Sequence, residues 1–246
     1  MSVLLVSTDT AGLSGGLSTS RIEALTDGVF AVVMTLLVLD LKVPLVPGPE
    51  AAAELPSKLL ELWPKLLSFA LSFVIASIYW VGHHNQFHFI RRTDRVLLWI
   101  NLLFMLCVAL IPFSSGLLGD YPGQQIAVVV YGVNLICVGC VLYGHWWYAT
   151  TAQGLVDHDI DPRVVRLAKR RILIAPVAYA LAIILSSFGP ALSLAIYLLV
   201  PVVYIVPGGV DRHWRRSRVG QSTAPAPEPS PHMEGATHLL RGDDRK

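Results

Sequence analysis

Residues 21–43 decide the fold and read R-I-E-A-L-T-D-G-V-F-A-V-V-M-T-L-L-V-L-D-L-K-V. Asp27 is the only charged residue between Glu23 and Asp40, so the stretch predicts a membrane-spanning helix of about 20 residues. A carboxylate at this depth costs roughly 2.5–3.5 kcal/mol on insertion scales, so we expect Asp27 to face protein or water rather than lipid. An ionisable residue in such a place is a functional-site candidate.

The composition of the whole chain agrees with a protein that crosses the membrane several times. Of its 246 residues, 54% are apolar and 15% are charged, whereas soluble domains carry about 25% charged residues. The net charge of +2 is too small to indicate nucleic-acid binding. All three cysteines lie in apolar stretches, which argues against a disulfide framework.

Six apolar segments are long enough to cross the membrane. The sequence therefore predicts an all-α membrane protein with six transmembrane helices in each subunit. The predicted spans are Glu23–Val43, Leu59–Val81, Val96–Leu118, Gln125–Tyr148, Ile172–Phe188 and Ala191–Val206. Asp120-Tyr121-Pro122-Gly123 predicts a tight turn between the third and fourth spans, and Gly189-Pro190 a short connection between the last two.

The basic residues alternate in density between the two sides of this arrangement. One side has only Lys42, Lys58 and Lys65, whereas the other has four clusters, which begin at Arg21, Arg91, Arg163 and Arg212. The positive-inside rule then places both termini in the cytoplasm, with the chain in the inner or plasma membrane. We expect a cytoplasmic segment at 1–20, a six-helix channel domain at 21–210 and a disordered cytoplasmic tail at 211–246.

One face of the first predicted helix is apolar except for a single hydroxyl group. Successive helix residues rotate by about 100°, so a set of residues shares that face while Asp27 points nearly the other way. We call this set the first-helix stripe: Leu25, Gly28, Val32, Thr35, Leu36, Leu39 and Val43. In most membrane helices such a stripe packs against other helices or lipid. Alternatively, several copies of it surround an axis and form a hydrophobic constriction.

Asp27 also allows two interpretations. It either fixes the helix through a polar network inside the subunit or lies on a proton or ion path. Because it faces away from the first-helix stripe, we favour the structural network. Its candidate partners all fall near the cytoplasmic ends of their spans and are Arg21, His83, His84, Trp99 and Asn101.

Other polar motifs indicate neither a metal site nor an enzyme. His84 and His88 are four residues apart, a spacing that allows two metal ligands on one helix face, but hydrogen-bonded histidines at a helix end are the better interpretation. Asp157, Asp159 and Asp161 lack the glycine and distal glutamate of a calcium loop. Nucleotide-binding and hydrolase motifs are missing from the sequence. We therefore expect no enzymatic activity, cofactor or metal.

Two segments of the chain resemble the prokaryotic members of the transmembrane protein 175 family. That family's first helix carries Arg, three residues and Phe-Ser-Asp; this chain has Arg21, I-E-A and Leu25-Thr26-Asp27. The His83-His84 pair, the L-L-W-I-N opening of the third span and its I-P-F ending are also similar to the family. The resemblance covers the layout of all six spans and specific residues in 21–45 and 79–120.

The resemblance implies a homotetrameric, potassium-permeable channel whose first helices line the pore. It places an apolar filter ring five residues after the motif aspartate, at Val32, followed by Thr35 and Leu39 with Leu36 beside them. Such a ring offers an ion no ligands, so it acts through its diameter and the cost of dehydration. The supporting network would comprise Arg21, Thr26, Asp27, His83, His84, Trp99 and Asn101. The expected partners are potassium and other monovalent cations, the bilayer and further copies of the chain, but no nucleic acid.

Two other classes of function remain open at this point. A proton-coupled secondary transporter would use Asp27 with the His83-His84 pair, although internal repeats and broken helices, which are common in transporters, are not evident. A membrane scaffold without transport is the third possibility.

Overall fold

The computed structural model describes residues 19–157 and 160–205, and these fold into helices, with one isolated bridge between Ile90 and Val156. The tail predicted at 211–246, and the N-terminal segment apart from Thr19 and Ser20, lie outside the described residues. The helices are α1 Thr19–Leu36, α2 Ala51–Glu61, α3 Trp63–Phe87, α4 Arg95–Ala109, α5 Ile111–Asp120, α6 Gln125–Thr151, α7 Pro162–Leu185 and α8 Pro190–Ile205, and a 3-10 helix, Leu37–Asp40, continues α1.

Within the described residues, four helical segments are long and apolar enough to cross a membrane: Thr19–Asp40, Trp63–Phe87, Arg95–Asp120 and Gln125–Thr151. The protein is therefore a multi-pass membrane protein, and its described part is helical. These segments correspond to the first four predicted spans. The fifth and sixth correspond to α7 and α8; α8 is apolar but has only 16 residues, and the first ten residues of α7 include five basic ones.

Several helix ends differ from the predicted spans for local reasons. The predicted second span is broken between Glu61 and Trp63, and the third is interrupted at Leu110. In both places a proline occupies one of the first two positions of the following helix, where its missing N–H is tolerated. The helix α7 begins at Pro162, ten residues before the predicted start, because the Asp161 carboxylate accepts a 2.7 Å hydrogen bond from the backbone N–H of Arg163 and caps it.

The hydrophobic core lies between α1 and the later helices. Phe30 on α1 packs against Phe104 on α4, with 5.9 Å between the ring centroids. A smaller apolar cluster surrounds Ile22 at the start of α1 and includes Phe87 and Leu97. The helix α1 packs against α3, α4 and α5, whereas α7 packs against α6 and α8. The α1 contacts hold the whole length of that helix against the subunit on one side.

Candidate pore helix and its supporting network

One face of α1 is buried in the subunit. Its buried residues recur every three or four positions, as a helix face requires; they are Ile22, Thr26, Phe30 and Val33, followed by Leu37 in the 3-10 turn. Most of them pack in the hydrophobic core, so α1 has a fixed rotation about its own axis.

The first-helix stripe lies on the side of α1 that this packing leaves uncovered. Val32 is 56% exposed and Leu39 69% exposed, and Leu25, Leu36 and Val43 are exposed as well. Among the helices that the structure describes, therefore, none covers this stripe. The hydroxyl of Thr35 lies 2.8 Å from the carbonyl oxygen of Val32 and 3.0 Å from that of Ala31. Because its one proton is used within the helix, the Thr35 oxygen can offer only acceptor lone pairs outward.

A buried hydrogen-bond network joins α1 to α4 and α3. The Asn101 amide nitrogen donates to Thr26 Oγ1 at 3.1 Å, and Thr26 in turn donates to the carbonyl oxygen of Ile22 at 2.9 Å. The Asn101 amide oxygen lies 2.8 Å from His83 Nε2. Since that oxygen can only accept, His83 Nε2 carries a proton and donates. Thr26, Asn101 and His83 are all buried, and buried polar groups that satisfy one another specify a unique packing.

Aromatic and polar neighbours hold the His83 ring in place. It lies nearly parallel to Phe104, with 5.3 Å between centroids and 3° between planes, and packs against Phe87 at 4.6 Å. A second buried pair lies behind it, in which His145 Nδ1 is 2.7 Å from the amide oxygen of Gln86. These contacts continue the network from α1 through α3 to α6.

The partner of Asp27 differs from all the predicted ones. Its Oδ1 accepts a 2.8 Å hydrogen bond from the indole Nε1 of Trp80 on α3. In the single chain Asp27 is exposed at the surface where α1 meets α3, and the expectation that it faces protein or water rather than lipid stays a prediction. One turn away, Glu23 Oε1 pairs with His84 Nδ1 at 3.2 Å, and the His84 ring stacks on Trp80. Two polar contacts one turn apart therefore tie α1 to α3.

Two residues of the predicted network lie elsewhere. Arg21 and Trp99 are exposed and form no hydrogen bond with Asp27 among the residues that the structure describes. His83 and His84 also separate, since His83 is buried toward Asn101 while His84 is exposed beside Glu23. Adjacent residues on a helix differ by about 100° in direction, so the pair does not act as one unit.

In the acidic loop before α7, the described aspartates form an ion pair and a helix cap. Both carboxylate oxygens of Asp157 accept from Nε of Arg91, at 3.0 and 2.9 Å, and Asp161 caps α7; Asp159 lies outside the described residues. No group of three or more His, Cys, Asp and Glu side chains within 19–157 and 160–205 is arranged to hold a metal.

Trp80, Gln86 and His145 were missed as members of the network. Trp80 and His84 are four residues apart on α3, as Glu23 and Asp27 are on α1. Residues at this spacing share a helix face, so the two matching pairs could have predicted the contact between α1 and α3. Gln86 and His145 carry no comparable pattern.

Comparisons with known proteins agree with this architecture. Residues 21–112 match the family described as the endosomal/lysosomal potassium channel TMEM175. A potassium channel of Streptomyces collinus is 32% identical over 188 residues, which cover 75% of this chain and 90% of that protein. A potassium channel of Chamaesiphon minutus is 34% identical over 189 residues, which cover 76% and 93%.

A solved structure is similar over the same part of the chain. It is the crystal structure of a lysosomal potassium-selective channel TMEM175 homolog from Chamaesiphon minutus, with a TM-score of 0.67 and 32% identity over 76% of this chain and 95% of that one. These likenesses confirm the resemblance that the first-helix motif indicated. The chain belongs to the TMEM175 family.

Proposed function

We propose that the chain is a potassium-permeable cation channel in which four copies of α1 surround the ion path. The observation that carries the proposal is the exposed first-helix stripe beside a firmly packed opposite face of the same helix. An uncovered apolar face of a membrane helix meets either lipid or another subunit. The resemblance to TMEM175 channels favours other copies of α1 for this stripe, and closed symmetry is the usual arrangement of identical subunits. Relatives at 32% and 34% identity that are named potassium channels support the choice of ion.

In this assembly Val32 forms the narrowest apolar ring, with Thr35 and Leu39 following it along the path. A ring of valine side chains gives an ion no ligands, so passage requires a cation to keep or partly shed its water. Potassium releases its water more readily than sodium, which favours potassium modestly. The Thr35 oxygens, whose protons are directed into the helix, can support the partly hydrated cation just past the ring.

The supporting network keeps the first-helix stripe on the axis. Thr26 and Asp27, adjacent on α1, are held by Asn101 and Trp80 from two different helices. A rotation of α1 would break both contacts. We therefore assign these residues to the positioning of the pore helix rather than to ion contact.

We further propose that α7 and α8 complete six spans, with both termini in the cytoplasm. The two helices pack on each other and are joined by Gly189, whose φ of 152° suits a residue without a Cβ atom. The basic residues of α7 fall in its first half, on the same side as Arg91, Arg92 and Arg95 in the predicted orientation, as the positive-inside rule requires.

A flux assay tests the proposal directly. The purified protein is reconstituted in liposomes, and potassium and sodium fluxes are measured under matched gradients with no proton gradient. A channel gives passive potassium flux that exceeds sodium flux. Flux that appears only when a proton gradient is imposed contradicts the proposal and indicates a proton-coupled transporter, and absence of flux indicates a scaffold.

A further inference from the structure

The helix α7 has an outward face that changes character halfway along. Its residues recur every three or four positions and are exposed, so they share one side of the helix. We call this set the α7 outer face: Arg163, Arg166 and Arg170 in the first half, then Ile174, Val177, Leu181 and Ile184 in the second. The opposite side is buried through Ala175, Pro176, Tyr179 and Ala182.

The cations of the α7 outer face have donors available for a ligand. Nε of Arg166 donates to the carbonyl oxygen of Pro162 at 3.4 Å, which leaves its two terminal nitrogens for a ligand. Arg171, which follows them, is turned inward, where its guanidinium donates to the carbonyl oxygen of Tyr204 at 3.1 Å. In contrast, Arg163, Arg166 and Arg170 form no ion pair with a carboxylate among the residues that the structure describes. Residues 160–171 hold five basic residues and a single acid, Asp161, whose carboxylate caps the helix. The surface is therefore strongly positive.

The position of the arginines matches the headgroup layer of a bilayer. The apolar half of the face begins at Ile174, one turn after Arg170, so Arg170 lies at the edge of the hydrocarbon when α7 spans the membrane. Arg166 is four residues further out, about 6 Å along the axis, and the headgroup layer of each leaflet is about 5–7 Å thick. Both guanidinium groups fall within that layer, whereas Arg163 reaches beyond it into water.

We propose that the α7 outer face binds an anionic phospholipid. Arg166 and Arg170 hold the phosphate of its headgroup, since the planar guanidinium group donates two parallel hydrogen bonds to phosphate oxygens. One acyl chain lies along Ile174, Val177 and Leu181. From the proposed function the inference takes that α1 lies at the axis and that α7 spans the membrane. The helix α1 packs on α3, α4 and α5, whereas α7 packs on α6 and α8, which leaves α7 at the lipid-facing periphery.

Native mass spectrometry of the purified assembly with added phosphatidylglycerol, and phosphatidylcholine as the neutral comparison, tests the proposal. The test variant is Arg166→Gln/Arg170→Gln, and the matched control is Arg92→Gln/Arg95→Gln, which removes two exposed cations from α4 and the loop before it. We expect phosphatidylglycerol binding to fall about fivefold for each arginine lost from α7, and the control and phosphatidylcholine binding to change little. Arg166→Lys/Arg170→Lys should bind phosphatidylglycerol more tightly than the glutamine variant but more weakly than the wild type, because lysine keeps the charge and loses the two parallel hydrogen bonds.

Three results would overturn the inference. They are unchanged phosphatidylglycerol binding in the test variant, an equal loss in the control, and a loss of assembly mass in the test variant, which would make the face a contact between copies of the chain. Potassium flux of the same variant in phosphatidylcholine liposomes separates the two proposals. If the variant binds phosphatidylglycerol as the wild type does and still conducts potassium, the lipid site is wrong and the channel proposal stands. If the wild-type protein conducts no potassium, the channel proposal fails whatever the result for lipid binding.

Discussion

Nε1 of Trp80 lies 2.8 Å from Oδ1 of Asp27 and donates a hydrogen bond across the contact between α1 and α3. The Glu23–His84 contact follows one turn away. Asp27 and Val32 are five residues apart, about 140° around the helix. Because Asp27 is directed at α3, Val32 is turned away from the subunit. The hydrogen bond thus sets which face of α1 remains free for other copies.

Replacing either partner of this hydrogen bond should weaken the fold but not the preference between cations. Hydrogen bonds to charged groups contribute about 1.5–3 kcal/mol, so Trp80→Phe and Asp27→Leu should each lower the free energy of unfolding by roughly that amount. A double-mutant cycle should show that the two losses are not additive. Trp99→Phe is the control, since Trp99 is 61% exposed and lies outside the network. Additive losses would mean that Trp80 and Asp27 do not stabilise one another. A changed permeability ratio in a variant that assembles normally would place Asp27 on the ion path.

Val32 should govern permeation through its size and polarity. Val32→Asn replaces an apolar ring with amide dipoles that can solvate any cation, so we expect conductance to rise and the potassium-over-sodium ratio to fall. Val32→Leu narrows the ring and should raise the ratio or block flow. Reversal potentials in mixed potassium and sodium measure both changes.

The control for this substitution is Val38, which is also exposed on the first segment but points well away from Val32. Val38→Asn should leave the permeability ratio unchanged. Val33 is less suitable, because it is 2% exposed and an asparagine there would bury an amide in the core. A shift with Val38→Asn and none with Val32→Asn would mean that another face of α1 lines the path.

Cysteine cross-linking should reveal the axis of the assembly. In a background without Cys107, Cys137 and Cys140, Leu39→Cys should form disulfide-linked subunit pairs on oxidation, because the first-helix stripe of each copy faces its neighbours. Leu181→Cys on the α7 outer face should remain unlinked, although Leu181 is also exposed in the single chain, at 51% against 69% for Leu39. Equal linking at both positions, or at Leu181 alone, would contradict the placement of α1 at the axis.

The buried network should control the rotation of α1. Asn101→Ala leaves the buried His83 Nε2–H without its acceptor and should destabilise the protein by about 1–3 kcal/mol. It should also lower the cross-linking yield of Leu39→Cys, since α1 loses a contact that fixes its direction. Asn134→Ala is the comparison, because the Asn134 amide nitrogen donates to Ser114 Oγ at 2.9 Å, a contact between α6 and α5 that does not involve Thr26. Equal cross-linking in the two variants would show that the network stabilises the subunit without orienting α1.

The sequence was sufficient to predict the helices and the exposed face of α1. It did not predict where the helices break or that Trp80 is the partner of Asp27. The spacing of Val32, Thr35 and Leu39 identified the exposed face because rotation along a helix is regular. Trp80 was missed because a tryptophan in an apolar stretch is expected to be a core residue. The partner of its single N–H donor depends on how α1 and α3 pack together, which the sequence does not show. The early start of α7 could have been predicted from Asp161-Pro162, a capping residue followed by a proline in the first turn. It was missed because the charged residues that follow do not belong to an apolar span.

Close packing of α6 against α7 and α8 should depend on two glycines seven residues apart. A Cβ atom on Gly139 would lie 2.5 Å from Cγ of Pro176, and one on Gly132 would clash with the hydroxyl of Tyr197, which donates to the carbonyl oxygen of Val128 at 2.9 Å. Small residues let membrane helices approach closely, and overpacking costs about 1–3 kcal/mol. Gly139→Ala and Gly132→Ala should therefore lower the unfolding free energy by about that amount in detergent titrations. Gly144→Ala, on the same helix with open space around it, should be neutral or stabilise by up to about 1 kcal/mol; if all three variants behave alike, helix propensity rather than close packing explains these glycines.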